Sequence, residues 1–524
     1  MSTAEMIESL PPVADDQKQS LAPDIEMPDV APEDLPTDIV TNAPKISSVT
    51  SKSSSFYPES ETSTVKFDHT PFEEYKTQVQ QLCHQLWCPS SPPKAPVSSS
   101  KDLRSASGSR ILGVLRKKKA APAPQPKTPA KQFLIERMRG GSYNRVTAIT
   151  ILDSEGKEDT RVVLRVPRYA WESTPEREVA LLRYVRQYTS IPVPEVIAVD
   201  YSSNNLLKDP YVVQKRIPGI TISAAKHERE ITTEQWCTVA REIGRTMLEL
   251  QKVTKPTPGL IESSLNKDGS HSFSVTPFDI KSAHDPDWKE KAAAVTAETK
   301  ASVLDLYKES TFRFLITQFG RWMADELDRR PDGIYSWDFM HRLAGVAGQM
   351  NKMSLLGDDI NCLAHLDLAG RNIMVEFPPD EPLKITGYLD WDSAVFAPRF
   401  VACAPPWWLW QDEDDATDYQ EDESKANDTP AQPHKQEIKR AFEETVGEDF
   451  LTYAYEPEFQ LARKLFHIAI HGNNSSQQLQ LVENFLDEWE VFCDNEIEEF
   501  QANKAGWKED DSSEKDDFQE CENP

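Results

Sequence analysis

The stretch that most limits the fold of this chain is the run from Asn361 to Asp390, NCLAHLDLAGRNIMVEFPPDEPLKITGYLD. Two apolar segments surround a Pro-rich turn, which predicts a β-hairpin with Asn372 at its start and Asp390 at its end. The two ends of a hairpin lie side by side, so these residues can share one cation. Their oxygens are the kind of ligand that Mg²⁺ binds together with substrate phosphates. Asp367 lies in the loop before the hairpin, where its carboxylate can meet an incoming hydroxyl group.

A histidine precedes this carboxylate by two residues. His365 could orient Asp367 or brace the loop, because histidine titrates near neutral pH and can hydrogen-bond through both ring nitrogens. Nothing in the pattern requires its proton transfer. We therefore interpret His365 as a hydrogen-bonded structural residue.

A β-rich segment precedes a helical one. The runs YNRVTAITIL and TRVVLRVP surround the turn 153–156 and predict a hairpin, while IPVPEVIAVD and PYVVQKRIPG predict two further strands. A helix is predicted from Thr174 to about Gln187. From about residue 230 apolar residues recur with helical spacing, which predicts helices over 232–253, 298–327, 335–354, 456–471 and 475–501. The fold class is therefore α+β, with a small, mostly β lobe followed by a larger, mostly helical lobe.

A glycine-rich turn lies between the first predicted strands. Gly140, Gly141 and Ser142 closely precede Asn144, and backbone N–H groups at such a turn can bind phosphate oxygens. A Gly-Gly pair is more often a plain turn than a phosphate site, so this signal is weak by itself.

The strand after the hairpin turn carries a cation in a distinctive place. Alternation along RVVLRVP puts Val162 and Leu164 on one face and Val163 and Arg165 on the other. Glu178 lies early on the next helix, where an ion pair with Arg165 would fix the strand to the helix and direct the cation at phosphate groups. The alternative is an exposed arginine at a sheet edge.

These features resemble, in their order along the chain, the protein-kinase-like phosphotransferases, and in particular the fungal branch of the aminoglycoside phosphotransferase (APH) family. The resemblance extends over about residues 66–500. The segments that carry it, besides Arg165 and Glu178, are GGSYN (140–144), IPVPEV (191–196), VVQKRIPG (212–219), HLDLAGRN (365–372) and LDWD (389–392). It implies a two-lobed kinase-like fold that transfers the γ-phosphoryl group of ATP to a hydroxyl group with the help of Mg²⁺.

The resemblance also implies a role for each matching residue. Asp367 looks like the catalytic base, Asn372 and Asp390 look like the Mg²⁺ ligands, and Glu178 looks like the partner of the phosphate-binding cation Arg165. The remaining nucleotide-binding positions would be a loop over the phosphates, a strand residue that lines the adenine pocket and a hinge around the adenine. These are Gly140, Gly141, Ser142 and Asn144 for the loop, Val163 for the strand, and Gln214 and Arg216 within the hinge 212–219.

Two departures from the family pattern leave an alternative function open. Arg165 stands where the family usually has lysine, and arginine is not equivalent to lysine at a packed phosphate site. The common HGDLHPGN becomes HLDLAGRN, so Leu366 and Arg371 both replace glycine. The alternative is a catalytically weak or inactive pseudokinase that acts as a nucleotide-binding interaction module. The joint presence of Asp367, Asn372 and Asp390 favours an active enzyme.

A protein acceptor is the second alternative. An activation segment that begins with DFG and ends with APE would indicate a protein kinase, but here DWD is followed within eight residues by Pro398. The acceptor is therefore expected to be a small molecule that carries a hydroxyl group.

Composition divides the chain into further segments. The first residues are rich in Ser, Thr, Pro and acidic side chains, which is typical of disorder. The run TPFEEYKTQVQQLCHQLW has one apolar stripe at helical spacing, which predicts a helix that docks on the domain downstream. The predicted segments are a disordered region 1–65, a helix 66–88, a basic linker 89–130, lobes 131–219 and 220–503, an acidic disordered insertion 412–430 and an acidic disordered tail 504–524.

Charge and cysteine content limit partners and compartment. The formal net charge of −28 disfavours a nucleic-acid partner. It allows an acidic lobe to attract a cationic acceptor such as an amino sugar, although the run 412–430 more often marks a solvated segment. No apolar run of about 18 residues suggests a membrane span. Seven cysteines without a CxxC pair, and a start without a secretory signal, favour the cytoplasm. The cluster Arg116-Lys117-Lys118-Lys119 is a weak nuclear signal.

Overall fold

The computed structural model describes residues 69–88, 131–138, 143–168, 174–281, 287–329, 335–378, 382–411, 423–473 and 475–513. Several predictions concern residues outside these ranges. They are the disorder of 1–65, the linker 89–130 with its basic cluster, the glycines and serine of 140–142, and the last part of the tail. Within the described residues, no helix is both long enough and apolar enough to cross a membrane.

The first lobe is built on a five-stranded sheet. Its strands are β1 (Gln132–Arg137), β2 (Asn144–Leu152), β3 (Glu158–Pro167), β4 (Val196–Asp200) and β5 (Tyr211–Lys215). Every pair is antiparallel, in the spatial order β1-β2-β3-β5-β4. The turn between β2 and β3 is closed by the Asp153 carboxylate, which accepts hydrogen bonds from the N–H groups of Glu155 and Lys157 at 2.9 Å each. The helix that crosses from β3 to β4 follows as predicted, Pro175–Tyr188.

The helix α1 (Phe72–Trp87) covers one face of this sheet. Its stripe of Tyr75, Val79 and Leu82 is buried in the same cluster as the inward side chains Val162 and Leu164 of β3. Burying an apolar side chain of this size stabilises the fold by about 1.5–3 kcal/mol. Because strand side chains alternate, the opposite face of β3 is left to Val163 and Arg165, as predicted.

The second lobe is mostly helical and begins after a short strand. Helix α2 (Pro175–Tyr188) belongs to the first lobe. The described helices of the second lobe are α3 (Ile222–Glu228), α4 (Thr233–Gln251), α5 (Trp288–Ala294), α6 (Ala297–Glu309), α7 (Thr311–Arg329), α8 (Tyr335–Lys352), α9 (Arg399–Ala402), α10 (Pro433–Val446), α11 (Glu448–Tyr455), α12 (Pro457–His471) and α13 (Ser476–Ser513). The β-rich first part and the helical second part confirm the predicted α+β fold class.

Three small sheets lie among these helices. Their strands are β6 (Ile220–Thr221), β7 (Thr254–Lys255), β8 (Leu260–Leu265), β9 (His271–Thr276), β10 (Asn361–Ala364), β11 (Ile373–Glu376), β12 (Lys384–Tyr388) and β13 (Val395–Pro398). They pair as β12-β11-β6, β13-β10-β7 and β8-β9. The hairpin β11–β12 is the one predicted from sequence. The hairpin β8–β9 is not predicted, because its side chains are largely exposed and its apolar pattern is weak.

The helix predicted over 298–327 is wrong as a single element, because Ser310 interrupts it. Ser310 adopts an extended backbone, and its hydroxyl oxygen accepts a hydrogen bond from the N–H of Arg313 at 3.2 Å, which starts a new helix. The Asp359 carboxylate accepts a second bond from the N–H of Thr311 at 2.6 Å. In the interior of a continuous helix, both N–H groups would instead donate to backbone carbonyl groups four residues earlier.

Parts of both predicted acidic disordered segments form helices in the structure. Of the predicted insertion 412–430, residues 412–422 lie outside the described ranges, and Glu423–Asn427 forms a 3-10 helix. Glu423 binds the buried side chain of Arg463 at 2.6 Å, and Ala426 is fully buried. The helix α13 continues to Ser513, past the predicted start of the tail at residue 504. The contact with the buried Arg463 explains the order at Glu423, and the continuation of helix α13 explains the order past residue 504. Composition reports neither of these.

Candidate active site

The loop after β10 holds the carboxylate that the sequence singled out. The Asp367 carboxylate accepts a hydrogen bond from the Asn372 side-chain nitrogen at 2.8 Å, and the Asp367 carbonyl accepts a second one at 3.0 Å. A 3-10 turn, Gly370–Asn372, supplies the spacing that brings the two side chains together. Because the amide nitrogen of Asn372 is used in this way, its amide oxygen is the atom that remains for a cation.

The two ends of the predicted hairpin lie side by side. The N–H of Leu389 donates to the Asn372 carbonyl at 2.7 Å, and Ile373 is paired with Tyr388. Asp390 follows directly in a left-handed conformation, with φ of 62°, which an aspartate tolerates better than most residues. The structure thus brings Asp367, Asn372 and Asp390 to one place through backbone pairing.

His365 joins the loop to the end of the hairpin. One ring nitrogen, Nε2, lies 3.0 Å from the carbonyl oxygen of Leu389, and the other, Nδ1, accepts a bond from the N–H of Asp367 at 3.3 Å. The ring is buried and packs edge-on against Trp391 at 4.6 Å. Desolvation lowers the pKa of His365, so the neutral tautomer with hydrogen on Nε2 satisfies both contacts. This geometry agrees with the structural interpretation of His365.

The lowered pKa of His365 predicts a loss of stability in acid. The unfolded chain gains a proton near pH 6.5, and the folded chain only at lower pH, so this contribution to stability is complete above pH 6.5 and is lost as the pH falls. We expect the free energy of unfolding to fall more steeply below pH 6.5 in the wild type than in His365→Gln, by at most about 1.4 kcal/mol per pH unit. Denaturant titrations between pH 7.5 and 5.5 measure this difference in slope. Parallel curves would show that the ring is not the group that titrates.

Arg165 on β3 contacts three carboxylates, of which Asp390 and Asp392 belong to the other lobe. Its guanidinium lies 3.0 Å from Glu178, 3.0 Å from Asp390 and 3.5 Å from Asp392. Burial alone would lower the pKa of Arg165, but the three carboxylates outweigh burial and raise it. The predicted pair with Glu178 is therefore present, and the exposed-arginine alternative is wrong, because only 13% of the Arg165 side chain is exposed.

The carboxylates around Arg165 outnumber the positive charge. Desolvation raises the pKa of Glu178, against the opposing effect of Arg165. The pKa of Asp392 is raised by desolvation and, in spite of Arg165, by the nearby charge of Asp390. Asp392 was not among the predicted site residues, although its position two residues after Asp390 in LDWD is a usable signal. One guanidinium faces three carboxyl groups. The raised pKa values of Glu178 and Asp392 mean that protons can neutralise part of the excess negative charge, and a bound cation would do the same.

The other predicted nucleotide-binding residues have different places in the structure. Gln214 on β5 donates from its side chain to Glu178 at 2.8 Å and is buried, so it holds the carboxylate rather than facing an open pocket. Val163 is paired with Gln214 across β3 and β5, on the Arg165 face. Arg216, within the predicted hinge 212–219, donates its backbone N–H to the Arg161 carbonyl at 3.0 Å. Asn144 opens β2, while Gly140, Gly141 and Ser142 lie outside the described residues.

A second arginine, which the sequence pattern did not place in the site, contacts Asp367. The guanidinium of Arg371 donates to Asp367 Oδ1. The pair is spaced i, i+4, which is the signal that could have identified it. Both oxygens of the Asp367 carboxylate therefore have partners, Arg371 on one and Asn372 on the other.

The backbone at Leu366 explains why glycine is common at this position in the family pattern. Leu366 has φ of 53°, a left-handed conformation that costs a residue with a Cβ about 1–2 kcal/mol. Its side chain is 40% exposed, so packing compensates only in part. We expect Leu366→Gly to raise the midpoint of thermal unfolding by roughly 2 °C, after the greater entropy of unfolded glycine is subtracted. Leu366→Ala keeps the Cβ and should give no increase; an equal increase in both variants would contradict the strain.

The chemistry of these side chains suits a hydrated divalent cation that is completed by phosphates. Among the described residues, no three His, Cys, Asp or Glu side chains form a closed metal site. Mg²⁺ does not need one, because it keeps several waters and takes one or two protein ligands together with phosphate oxygens. The buried Nε of Arg165 has no hydrogen-bond partner in the described part of the chain.

Two solved structures and one relative in sequence are similar to this chain. The choline kinase from Cryptosporidium parvum Iowa II has a similar structure, with 11% identity, a TM-score of 0.34, and coverage of 70% of this chain and 91% of that one. The GDP complex of wild-type aminoglycoside 2'-phosphotransferase-IIIa has 12% identity, a TM-score of 0.31, and coverage of 67% and 92%. In sequence, the Altered inheritance of mitochondria protein 9, mitochondrial, of Clavispora lusitaniae (strain ATCC 42720) is 25% identical over 148 residues. That match spans 26% of this chain and 22% of the relative's length.

The family assignment rests on a longer match. The model of the phosphotransferase enzyme family APH matches residues 135–432, which is more than half of the chain. The matched region runs from β1 past the hairpin β11–β12 and contains Arg165, Asp367, Asn372 and Asp390. Membership of the fungal branch stays a prediction. The chain belongs to the APH phosphotransferase enzyme family.

Proposed function

We propose that this chain binds ATP with Mg²⁺ and transfers the γ-phosphoryl group to a hydroxyl group of a small molecule. The observation that carries the proposal is the convergence of Asp367, Asn372 and Asp390 beside Arg165, a cation that comes from the other lobe. Family membership supports the reaction type. Neither of them identifies the acceptor.

On the nucleotide side of the site, the cation Arg165 is held in place by buried neighbours. Glu178 and Gln214 form a buried chain of hydrogen bonds that holds the Arg165 guanidinium in one orientation. A forked guanidinium binds phosphate oxygens well, but it needs more room than the lysine usual in the family. Gly140, Gly141 and Ser142 are further residues proposed to bind the phosphates.

On the metal side of the site, two side chains that carry oxygen atoms lie at the two ends of the hairpin β11–β12. Asn372, through its amide oxygen, and Asp390, through its carboxylate, are the residues proposed to hold Mg²⁺. When bound, the ion would neutralise negative charge on the phosphates and orient the γ-phosphoryl group. The carboxyl groups that outnumber Arg165 would attract the ion as they lose their protons.

On the acceptor side of the site, Asp367 is the proposed base. Its carboxylate takes the proton as the acceptor O–H bond breaks, the hydroxyl oxygen bonds to the γ-phosphorus, and the bond from the γ-phosphorus to the bridging oxygen breaks to release ADP. Asn372 holds the carboxylate at 2.8 Å, so the base is oriented before the acceptor arrives. The short connection from Asp390 to Pro398, four residues of which form β13, favours a small acceptor over a protein.

The test is Mg²⁺-dependent formation of ADP by the purified chain, in the presence of a broad set of small hydroxyl compounds. We expect ADP formation that requires the metal and increases with at least one acceptor. Binding of ATP without ADP formation for any acceptor would instead support the nucleotide-binding interaction module.

A further inference from the structure

A run of aromatic residues follows the hairpin β11–β12 and is not among the residues that the proposed reaction uses. It is PPWWLW, residues 405–410, whose centre folds as the 3-10 turn Trp407–Leu409. Two of its side chains, Leu409 and Trp410, are buried in the hydrophobic core. The ring of Trp408 is only partly buried and lies at the edge of that core, against the loop that follows β10.

The indole of Trp408 holds the loop 365–372 at the residue after the proposed base. Its Nε1–H donates to the carbonyl oxygen of Leu368 at 2.9 Å. A Cβ at Gly370 would lie 3.2 Å from the Trp408 ring and 3.2 Å from the Ser223 hydroxyl oxygen. The ring therefore occupies space that a side chain at position 370 would need. One hydrogen bond and one close packing contact thus join Trp408 to this loop.

The turn that carries Trp408 has little freedom to move. The N–H groups of Trp410 and Gln411 donate to the Trp407 carbonyl at 3.0 Å and 2.9 Å. The indole N–H of Trp410 donates to the Ala426 carbonyl at 3.1 Å, from a ring that is fully buried. Because the indole of Trp408 stands on an ordered turn, its bond restrains the loop at little further cost in conformational entropy.

The loop 365–372 is fixed at its ends by the hairpin and in its middle by Trp408. The Leu389 carbonyl lies 3.0 Å from His365 Nε2, and the Leu389 N–H donates to the Asn372 carbonyl at 2.7 Å. The side chain of Asn372, which holds the Asp367 carboxylate, belongs to the loop itself. A bond of that kind keeps the internal shape of the loop but does not set its place in the cleft. The bond from Trp408 comes from outside the loop and does so.

We infer that Trp408 is a positioning residue for the transfer: its indole N–H fixes the peptide that joins Leu368 to Ala369 and so keeps Asp367 within reach of the acceptor hydroxyl. The inference rests on the proposed phosphotransferase function. A general base must come within about 2.6–3.2 Å of the atom whose proton it takes. Misplacement of a reacting group by about 1 Å can lower a rate by about 10²-fold. Trp408 is not a proposed ligand of ATP or Mg²⁺, so its loss should slow the reaction without weakening the binding of either.

The variant Trp408→Phe removes the N–H and keeps an aromatic ring beside Gly370. We expect kcat for ADP formation to fall by about 10-fold, because the base is no longer held in place. The rate is measured at saturating ATP and Mg²⁺, with the acceptor that gives the fastest reaction in the wild type. KM for ATP should change by less than about twofold, since the lost interaction acts on the base and not on the nucleotide.

Trp322→Phe is the matched control. The Trp322 indole also donates to a backbone carbonyl, that of Ala469, at 2.8 Å. It also lies against a glycine, because a Cβ at Gly472 would come within 2.9 Å of its ring. Trp322 is more deeply buried than Trp408, so its replacement should cost at least as much stability, which the unfolding midpoints of both variants measure. We expect its kcat to stay within a factor of about two of the wild type, because this bond joins α7 to α12 and not to the loop.

Hydrogen–deuterium exchange of the full chain measures the restraint on the loop without any need for turnover. The N–H groups of Asp367 and Asn372 are hydrogen-bonded within the loop, so they exchange when the loop opens locally. In Trp408→Phe we expect both to exchange roughly 3- to 10-fold faster than in the wild type, as the loss of one net hydrogen bond would give. In Trp322→Phe both should exchange at the wild-type rate.

The outcomes separate this inference from the proposed function. Equal kcat values in Trp408→Phe and Trp322→Phe, or loop exchange that does not respond to Trp408→Phe, overturn the inference. A higher KM for ATP with unchanged kcat also overturns it, because Trp408 would then act on the nucleotide. In each of these cases, ADP formation by the wild type leaves the phosphotransferase proposal standing. If the wild type forms no ADP with any acceptor, the proposed function fails, and the positioning of a base by Trp408 fails with it.

Discussion

Replacing Asp367 with asparagine is expected to lower the rate of ADP formation by about 10²- to 10⁴-fold, which is the usual contribution of a positioned general base. The asparagine side chain has the same shape, and its amide oxygen can still accept the hydrogen bond from Asn372. It cannot take a proton from the acceptor. Binding of ATP and Mg²⁺ should remain close to that of the wild type, because Asp367 is not a proposed ligand of either. Steady-state rates at saturating ATP measure the loss.

Asp358→Asn is the matched control for this variant. Asp358 is 30% exposed, against 26% for Asp367, and it pairs with Arg399 at 3.0 Å as Asp367 pairs with Arg371. The control removes the same charge from a similar ion pair outside the proposed site. We expect its rate to stay within a factor of about two of the wild type. An Asp367→Asn variant that is as active as this control would exclude Asp367 as the base.

Replacing Arg165 with alanine is expected to cost about 3–5 kcal/mol of unfolding free energy. The change leaves Glu178 buried without its cation, and Asp390 and Asp392 without the group that separates their charges. Uncompensated buried charge is among the most destabilising effects of a single substitution. The nucleotide site should be lost as well. Denaturant unfolding at neutral pH measures the free energy.

Arg161→Ala is the control on the same strand and the same face. Arg161 is 55% exposed and its partner Glu158 is 45% exposed, so their ion pair is solvated and should contribute less than about 1 kcal/mol. Arg165→Lys is a further comparison, because it keeps the charge but loses the fork that spans Glu178 and Asp390. Equal destabilisation by Arg161→Ala and Arg165→Ala would show that the buried cluster has no special energetic role.

The parts of the site that the sequence predicted are those fixed by local rules. Strand alternation placed Arg165 opposite the apolar face of β3. A helix that begins ten residues later, at Pro175, brought Glu178 to it. Hairpin geometry placed Asn372 beside Asp390 across a Pro-rich turn. Each of these relations depends on the period of a strand or on the pairing of neighbouring strands, and these can be read from a single sequence.

The parts that the sequence did not predict depend on which side chains meet across the fold. Gln214 was expected at the hinge, but the pairing of β3 with β5 turns it toward Glu178. Asp392 joins the cluster because the chain turns into a 3-10 helix directly after Asp390. The contact of Arg371 with Asp367 was missed because a charged residue in a loop has many possible partners. The break at Ser310 was missed because its cap depends on Asp359, which is distant in sequence.

Thermal unfolding in the presence of ATP, of Mg²⁺ and of both is the most direct test of whether the metal and the nucleotide bind together at the hairpin ends. Ligand binding to the folded state raises its apparent stability, so both ligands together at about 100 times their dissociation constant should raise the unfolding midpoint by roughly 5–10 °C. ATP alone should give much less. In Asp390→Asn the metal-dependent part should vanish, while Asp358→Asn should retain it. An increase that needs no metal, or that is equal in Asp390→Asn and the wild type, would contradict the account.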